Sequence, residues 1–281
     1  MSVSVRWDLA ITARSPISHR AETIGTTATL RRMKVLAADG TVDLVPVVSG
    51  NSLRGVLRRL GEELLRDVLG YEGLLPLAVA HALRNGGAIT RTSAEPVTGR
   101  RLRELRTLVP QLSVFGGAVG AAPIDGCLRV GHVVPVIEEA RPLLRGHYPN
   151  PLPTRLDVEA LESYSHLDDP ANPAADTNGT DEARSAVSLL MRYEVETITA
   201  GTRFESWVHL DRGSDLDHAF LADVLAEYVR RGWLGGRVGI GHGDVATTIT
   251  ADSATGPGVD WRAHLIARRD AALALLQSLP A

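Results

Sequence analysis

Three stretches of the chain carry residues suited to binding an anion. Residues 232–243 read Gly-Trp-Leu-Gly-Gly-Arg-Val-Gly-Ile-Gly-His-Gly. Glycine lets a main chain approach a phosphate closely, and successive N–H groups such as those of Gly235 and Gly236 can form a nest for its oxygens. Arg237 and His242 could add side-chain contacts. The stretch follows a helical pattern and precedes a strand pattern, so it is neither a Rossmann fingerprint nor a P-loop, which lie between strand and helix. A long flexible turn would use the same glycines. The second stretch, residues 46–55, reads Pro-Val-Val-Ser-Gly-Asn-Ser-Leu-Arg-Gly and runs from a strand into a helix. The free N–H groups of a helix start bind phosphate. Ser49, Asn51 and Ser52 add donors there, and Arg54 and Arg58 lie one turn apart on one face. Ordinary capping with solvated arginines accounts for the same residues. The third stretch, residues 15–22, reads Ser-Pro-Ile-Ser-His-Arg-Ala-Glu and leads on to Thr29-Leu30-Arg31-Arg32. His19 with Glu22 is a possible acid–base pair. Plain hydrogen bonding to RNA or solvent needs no catalysis and is the preferred reading.

Composition narrows the setting. The chain has 281 residues, 44% of them hydrophobic, which fits one elaborated globular domain or two small ones. No apolar run reaches the roughly 18 residues a membrane span needs. The first twelve residues alternate instead of forming an apolar leader, so a cytoplasmic protein is expected. Cys127 is the only cysteine, which excludes an internal disulfide and a cysteine-rich zinc site. The net charge of −3 argues against a general nucleic-acid binder. Its distribution says more. Basic residues gather as Arg20, Arg31, Arg32 and Lys34, as Arg54, Arg58 and Arg59, and as Arg91, Arg100, Arg101, Arg103 and Arg106. Acidic residues gather later, at Asp168, Asp169, Asp176, Asp181 and Glu182. One basic working face fits this asymmetry.

The elements that must position these groups follow from periodicity. Val3, Val5, Trp7, Leu9 and Ile11 alternate with polar residues and predict a half-buried strand, ended by Ser15-Pro16. Residues 17–35 are polar and threonine-rich, a loop or ribbon. Residues 45–48 form a short strand. Leu53, Val56, Leu57, Leu60, Leu64, Leu65 and Val68 recur at helical spacing up to Gly70. A second helix is predicted over 71–85, then a basic insertion over 86–106. Alternation returns at Leu128–Val136. Residues 138–184 are proline-rich and are expected to be an irregular excursion, too long for a bare connector. Leu189–Val195 and Phe204–Leu210 are expected to pair as a hairpin around Ala200-Gly201. Ser214 caps a helix with the stripe Leu216, Phe220, Val224, Leu225, Tyr228 and Val229. A last strand spans 245–250, and residues 261–279 look helical. Strands and helices in this order predict an α+β fold, an antiparallel sheet of ferredoxin-like kind with helices on one face.

The segments in this order resemble the RAMP proteins of CRISPR systems, and within them the backbone-subunit family, Cas-seven. The resemblance rests on the Ser-Pro turn after the first strand, on Pro46 to Gly55, on Phe115-Gly116 before a strand, on Tyr193-Glu194 with Ala200-Gly201-Thr202-Arg203-Phe204, and on the helix and glycine-rich loop from Asp215 to Gly243. It covers most of the chain apart from two insertions. It implies an RNA-recognition palm (RRM-like) formed by 1–70, 113–137 and 186–255. It also implies a helical, basic insertion over 71–112, a thumb-like irregular insertion over 138–185, and a C-terminal helix over 256–281. The implied partners are crRNA, a target nucleic acid (DNA or RNA), further copies of the chain stacked head to tail, and other effector subunits. No cofactor, metal, catalytic residue or membrane partner is implied. The RNA-binding residues it implies are His19, Arg20, Arg31, Arg32, Lys34, Ser49, Asn51, Ser52, Arg54, Arg58, Gly235, Gly236, Arg237 and His242.

The loop over 22–34 and the Asn of Ser-Gly-Asn-Ser are most like type IV and type I-D members. Type III members resemble these but carry an aspartate, before their Pro-x-x-x-Gly motif, that supports metal-dependent target cleavage. Here Glu22 is the only acid between Ser15 and Lys34, and Asp39 precedes Gly40 as in a tight turn. Three alternatives stay open: a ribonuclease using Glu22, Asp39 or Asp43, a crRNA-processing endonuclease using His19, and a protein-interaction module without RNA.

Overall fold

The computed structural model describes residues 2–89, 97–119, 122–166, 191–253, 256 and 258–279. In chain order its strands are β1 (Val3–Ala13), β2 (Arg20–Ile24), β3 (Thr27–Leu30), β4 (Arg32–Leu36), β5 (Val42–Pro46), β6 (Gly117–Val119), β7 (Ala122–Ile124), β8 (Leu128–Val130), β9 (Val134–Pro135), β10 (Glu159–His166), β11 (Met191–Ile198), β12 (Arg203–Gly213) and β13 (Val245–Ala251). Its α-helices are α1 (Gly50–Leu69), α2 (Leu77–Asn85), α3 (Gly99–Leu108), α4 (Pro110–Phe115), α5 (Arg155–Val158), α6 (Asp215–Arg231), α7 (Trp261–Ile266) and α8 (Arg269–Gln277).

The alternation in β1 does what it predicts. Val5, Trp7, Leu9, Ile11 and Ala13 are buried, and the residues between them face the other way. The strand lies in the middle of a sheet ordered β13–β1–β12–β8, with β9 also beside β12. All these neighbours are antiparallel. Between β1 and β8 the chain passes through α1, and between β12 and β13 through α6. The Ser49 hydroxyl caps α1 by accepting the Ser52 N–H at 3.2 Å, and Gly70 ends the helix in the left-handed conformation. Leu53, Leu57, Leu60, Leu65 and Leu69 form its buried stripe. Each such side chain contributes about 1.5–3 kcal/mol on burial, so packing, not propensity, holds the helix. A capping box of Ser214 and Asp217 starts α6, and Leu216, Phe220, Val224, Leu225 and Tyr228 are buried along it. The fold is therefore mixed α+β.

A second sheet, ordered β10–β11–β3–β2, departs from expectation. Strands β11 and β12 do not pair as a hairpin. The turn at Ala200-Gly201 passes the chain from one sheet to the other, and the Gly201 N–H donates to the Ala13 carbonyl at 2.8 Å. The reason is burial: Phe204, Val208 and Leu210 complete the core against β1, where β11 has no place. Nor is the excursion after residue 138 irregular throughout. Glu159–His166 forms β10 and pairs antiparallel with β11, Tyr164 opposite Tyr193. Its sequence, Glu-Ala-Leu-Glu-Ser-Tyr-Ser-His, has no period-two apolar signal to announce a strand. Past His166 the excursion, with Asp168, Asp169, Asp176, Asp181 and Glu182, lies outside the described residues, as does Arg91. The β3–β11 pair is parallel, so the second sheet is not purely antiparallel. The polar ribbon resolves into the β2–β3 hairpin, followed by β4–β5. Asp39 closes the latter turn, its carboxylate accepting the Thr41 N–H at 2.9 Å beside Gly40 at φ +87°. The C-terminal segment divides into α7 and α8 instead of one helix. No described helix is long and apolar enough to cross a membrane.

Gly50 starts α1 where no side chain fits. A Cβ there would lie 2.6 Å from the Val130 carbonyl oxygen and 2.8 Å from that of Gly131. Gly50→Ala is predicted to destabilise the protein by about 1–3 kcal/mol, as overpacking does, read as a lowered thermal midpoint.

Candidate nucleic-acid interface

The three stretches singled out by their chemistry meet. Ser18 and His19 just before β2 with Arg20 at its start, Ser52 from the first turn of α1, and Gly235, Gly236 and Arg237 from the glycine loop line one cleft of about 410 Å³. Backbone bonds build it. Gly236 N–H donates to the Ser18 carbonyl at 2.7 Å, and Gly243 N–H donates to the Pro16 carbonyl at 2.9 Å. Gly235 has φ +82°, and a Cβ there would lie 2.6 Å from the Ser18 oxygen. On the other side, Arg31 N–H donates to the His19 carbonyl at 2.9 Å.

Beyond the first turn of α1 lies a larger hollow of about 730 Å³. Asn51, Arg54, Gly55, Arg59 and Arg129 border it, and among the described residues Asp125 is its only lining carboxylate. Asn51 and Ser52 thus form the ridge between the two hollows. Arg59, outside the expected set, is exposed and forms no ion pair among the described residues.

The expected binding residues divide by burial. Arg20, Arg31, Lys34 and Asn51 are exposed, and their side chains have no partner among the described residues. Arg54 is half-buried and donates to the Phe115 carbonyl at 2.6 Å. Burial, with Arg129 nearby, lowers its pKa. Arg58 is placed differently from expectation. It is only 6% exposed, and its guanidinium donates to the carbonyls of Ala82, Gly116 and Phe115. Those carbonyls end α2 and α4, so Arg58 joins helices. Burial, then the Arg54 charge, brings its pKa down to about 10, which leaves it cationic at neutral pH. Arg32 is also committed elsewhere. It forks onto Glu159 at 3.0 and 2.9 Å and reaches Glu196 at 2.9 Å, tying β4 to the second sheet. His242 is 3% exposed, with Nε2 2.6 Å from the Tyr164 hydroxyl and 3.2 Å from Glu162. Ser49 spends its hydroxyl on the cap. These four serve packing, because each buried polar group must find its partner inside.

His19 and Arg237 stand apart. Burial, then Arg31 and His132, holds the His19 pKa below its usual value, so the ring is neutral at pH 7. Its Nε2 is buried with no partner among the described residues. Nearby, His132 Nδ1 accepts the Gly50 N–H at 3.1 Å, satisfying one free donor of the helix start. Arg237 adopts a left-handed backbone, φ +59°, unusual for a residue with a side chain. Its guanidinium lies 5.1 Å from the Tyr193 ring centre and 5.9 Å from that of Tyr164. Those rings stack on each other at 5.4 Å. No carboxylate pairs with Arg237 among the described residues. Tyr164 gives no sign of a site role in the sequence because β10 itself carries no strand signal, and Tyr193 on β11 gives none because its cross-strand partner is visible only from the register. Glu22 is exposed on β2, Asp39 serves its turn, and Asp43 lies on β5. Among the described residues no three His, Cys, Asp or Glu side chains converge as a metal would require.

The family model of the RAMP superfamily matches residues 23–246. The chain belongs to the RAMP superfamily. A solved chain described as "Type IV-B CRISPR Complex" is 33% identical to this RAMP protein, covers 92% of it over 96% of its own length, and superposes with a TM-score of 0.68. Comparison with curated protein sequences finds no match.

Arg58 is predicted to act on stability. Arg58→Ala removes hydrogen bonds to three carbonyls, each worth about 0.5–1.5 kcal/mol; those of Ala82 and Phe115 keep the Gly86 N–H and Arg54, and that of Gly116 loses its guanidinium donor. The expected loss is about 3 kcal/mol in all, a fall of roughly 6–12 °C in the thermal midpoint, and Arg58→Lys should restore little because it lacks the fork.

Proposed function

We propose that this protein is a crRNA-binding backbone subunit of a multi-subunit CRISPR effector complex, most like those of type IV. The observation that carries the reading is the convergence of Ser18–Arg20, Ser52 and Gly235–Arg237 on one cleft. Segments more than two hundred residues apart in the chain supply cations, polar side chains and glycines to the same place, although the Gly236 N–H expected to face a phosphate is spent on the Ser18 carbonyl. Arg20 and Arg237 have no carboxylate partner among the described residues, and such cations suit phosphate. The similarity to a chain of a type IV-B complex supports the same setting.

In this reading the sheet of β1, β8, β12 and β13 with α1 and α6 is the RRM-like palm, spanning 1–70, 113–137 and 186–255. Residues 71–112 are a helical, basic insertion, 138–185 the thumb, and 256–281 a C-terminal helical segment. The RNA runs from the cleft across Asn51 and Ser52 towards Arg54, Arg59 and Arg129, with Arg31 and Lys34 flanking it. Grip through phosphates and 2′-hydroxyls makes the binding independent of guide sequence. Copies stack head to tail along the guide, a heterologous contact that does not close, and present it to target nucleic acid and to other effector subunits. The subunit has no catalytic role of its own, and chemistry on the target falls to a partner.

Expressed with a guide transcript, the protein is expected to elute as a multimer carrying protected RNA; a monomer without RNA would overturn the reading. Arg20→Ala and Arg59→Ala should weaken binding alike for unrelated RNA sequences. Each should lower the slope of log affinity against log salt by about 0.7, the loss of one single-strand phosphate contact. Assembled with guide and matched target RNA in magnesium or manganese, the complex is expected to leave the target intact. Periodic fragments lost on Glu22→Ala or Asp39→Ala would instead assign a ribonuclease.

A further inference from the structure

A hollow of about 640 Å³ opens on the first sheet, within the range of about 300–1,000 Å³ usual for ligand sites. Strands β1, β12 and β13 line it with Asp8, Ala10, Glu205, Trp207 and Thr250. These belong to the half of each strand's alternation that the core leaves out. Residues 143–148 supply a wall, with Leu143, Arg145, Gly146 and Tyr148. Glu205 pins that wall to the sheet. Its carboxylate accepts the Arg145 and Gly146 N–H groups, each at 2.8 Å, and the Tyr148 hydroxyl at 2.6 Å. A Cβ at Gly146 would lie 2.5 Å from the same carboxylate. The hollow is thus formed before anything enters it, which lowers the ordering cost of binding.

Its two rings sit among cations. The guanidiniums of Arg6 and Arg145 lie 4.8 and 5.6 Å from the Trp207 ring centre, and that of Arg203 lies 5.6 Å from the Tyr148 ring centre. Arg6 is neutralised by Asp8 at 2.9 Å. Arg145 and Arg203 are exposed and have no carboxylate partner among the described residues. Glu205 is already taken by the wall. The charge left over is therefore positive, and it surrounds a lining to which Met33, Val134 and Leu143 add apolar surface. Trp, Tyr and Arg together are the residues that dominate protein–protein contacts energetically.

We propose that this hollow docks an acidic segment of another protein, an apolar anchor side chain seated against Trp207 and Tyr148 while its flanking carboxylates meet Arg145 and Arg203. The inference stands apart from the RNA-binding reading. A phosphate chain would pass the Asp8 and Glu205 carboxylates and leave the apolar lining unused. An anchored acidic peptide uses the lining and the two free cations together, and such charge pairing at a rim selects the partner.

The test measures fluorescence anisotropy with the full chain and labelled peptides in which glutamates flank a single leucine, phenylalanine or tryptophan. Control peptides carry lysines for the glutamates, or alanine for the anchor. Wild type is expected to prefer the anchored glutamate peptides over both controls by about tenfold or more, and Trp207→Ala to lose the preference for an anchor, as at an interface hot spot. Arg145→Glu combined with Arg203→Glu changes only exposed side chains. It should keep the thermal midpoint within a few degrees and reverse the preference towards the lysine peptides. Failure of every anchored glutamate peptide to bind wild type, or an unchanged preference in the charge-reversed protein, would overturn the proposal. An RNA oligonucleotide that displaces the peptide, and whose own retention falls in Trp207→Ala, would overturn it in favour of RNA. A multimer of RNA-free wild type that Trp207→Ala dissolves would overturn it in favour of a second copy of this chain.

Discussion

Gly236 N–H reaches the Ser18 carbonyl at 2.7 Å, and Gly235 beside it passes so close to the same oxygen that any side chain would collide with it. This contact joins the end of the first strand's turn to the loop that follows α6. Without it the glycine loop would be a surface turn, and His19 and Arg20 would stand alone on a ribbon. The glycines are therefore needed for a close main-chain approach within the protein as well as for any ligand. Gly50 sets the matching constraint on the other wall, where the start of α1 lies against the Val130 and Gly131 carbonyls and leaves Ser52 facing the cleft. Two glycine approaches, one at each wall, hold three distant segments in register.

The same geometry sorts the arginines. A guanidinium brought inside must satisfy its donors there, and Arg58 does so on the carbonyls that end α2 and α4. Arg32 does so on Glu159 and Glu196, joining β4 to the second sheet. Arg20, Arg31 and Arg59 stay at the surface without acidic partners among the described residues. Arg237 is intermediate: half-buried, close to two tyrosine rings, and without a carboxylate partner among the described residues. Residue type alone does not distinguish these roles, because helical spacing puts Arg54 and Arg58 on one face whether that face meets solvent or another helix.

This explains what could be read from the chain and what could not. Strand β1 and helices α1 and α6 are legible because each has one buried face with a clean period and a capping residue at its start. Strand β10 is not, because the sequence of Glu159–His166 has no alternating apolar residues, and its pairing with β11 is a tertiary choice. The turn at Ala200-Gly201 looks like a hairpin because its flanking strands both alternate. Only the core shows that they belong to different sheets. The cleft was partly legible: Ser18–Arg20, Ser52 and Gly235–Arg237 stood out by composition. Tyr164 and Tyr193 did not, since a cross-strand pair is visible only once the register is known. His242 looked like a ligand for phosphate beside its glycines and instead turns inward to Tyr164.

In the proposed complex one groove, built by three distant segments, holds RNA. Ultraviolet crosslinking of the assembled protein to its co-purifying RNA, with the attached peptides identified by mass spectrometry, tests it most directly. Crosslinks are expected in peptides containing His19–Arg20, Asn51–Ser52 and Gly235–Arg237 within the same preparation. Crosslinks confined to α3, α7 or α8, with none in these three segments, would contradict it.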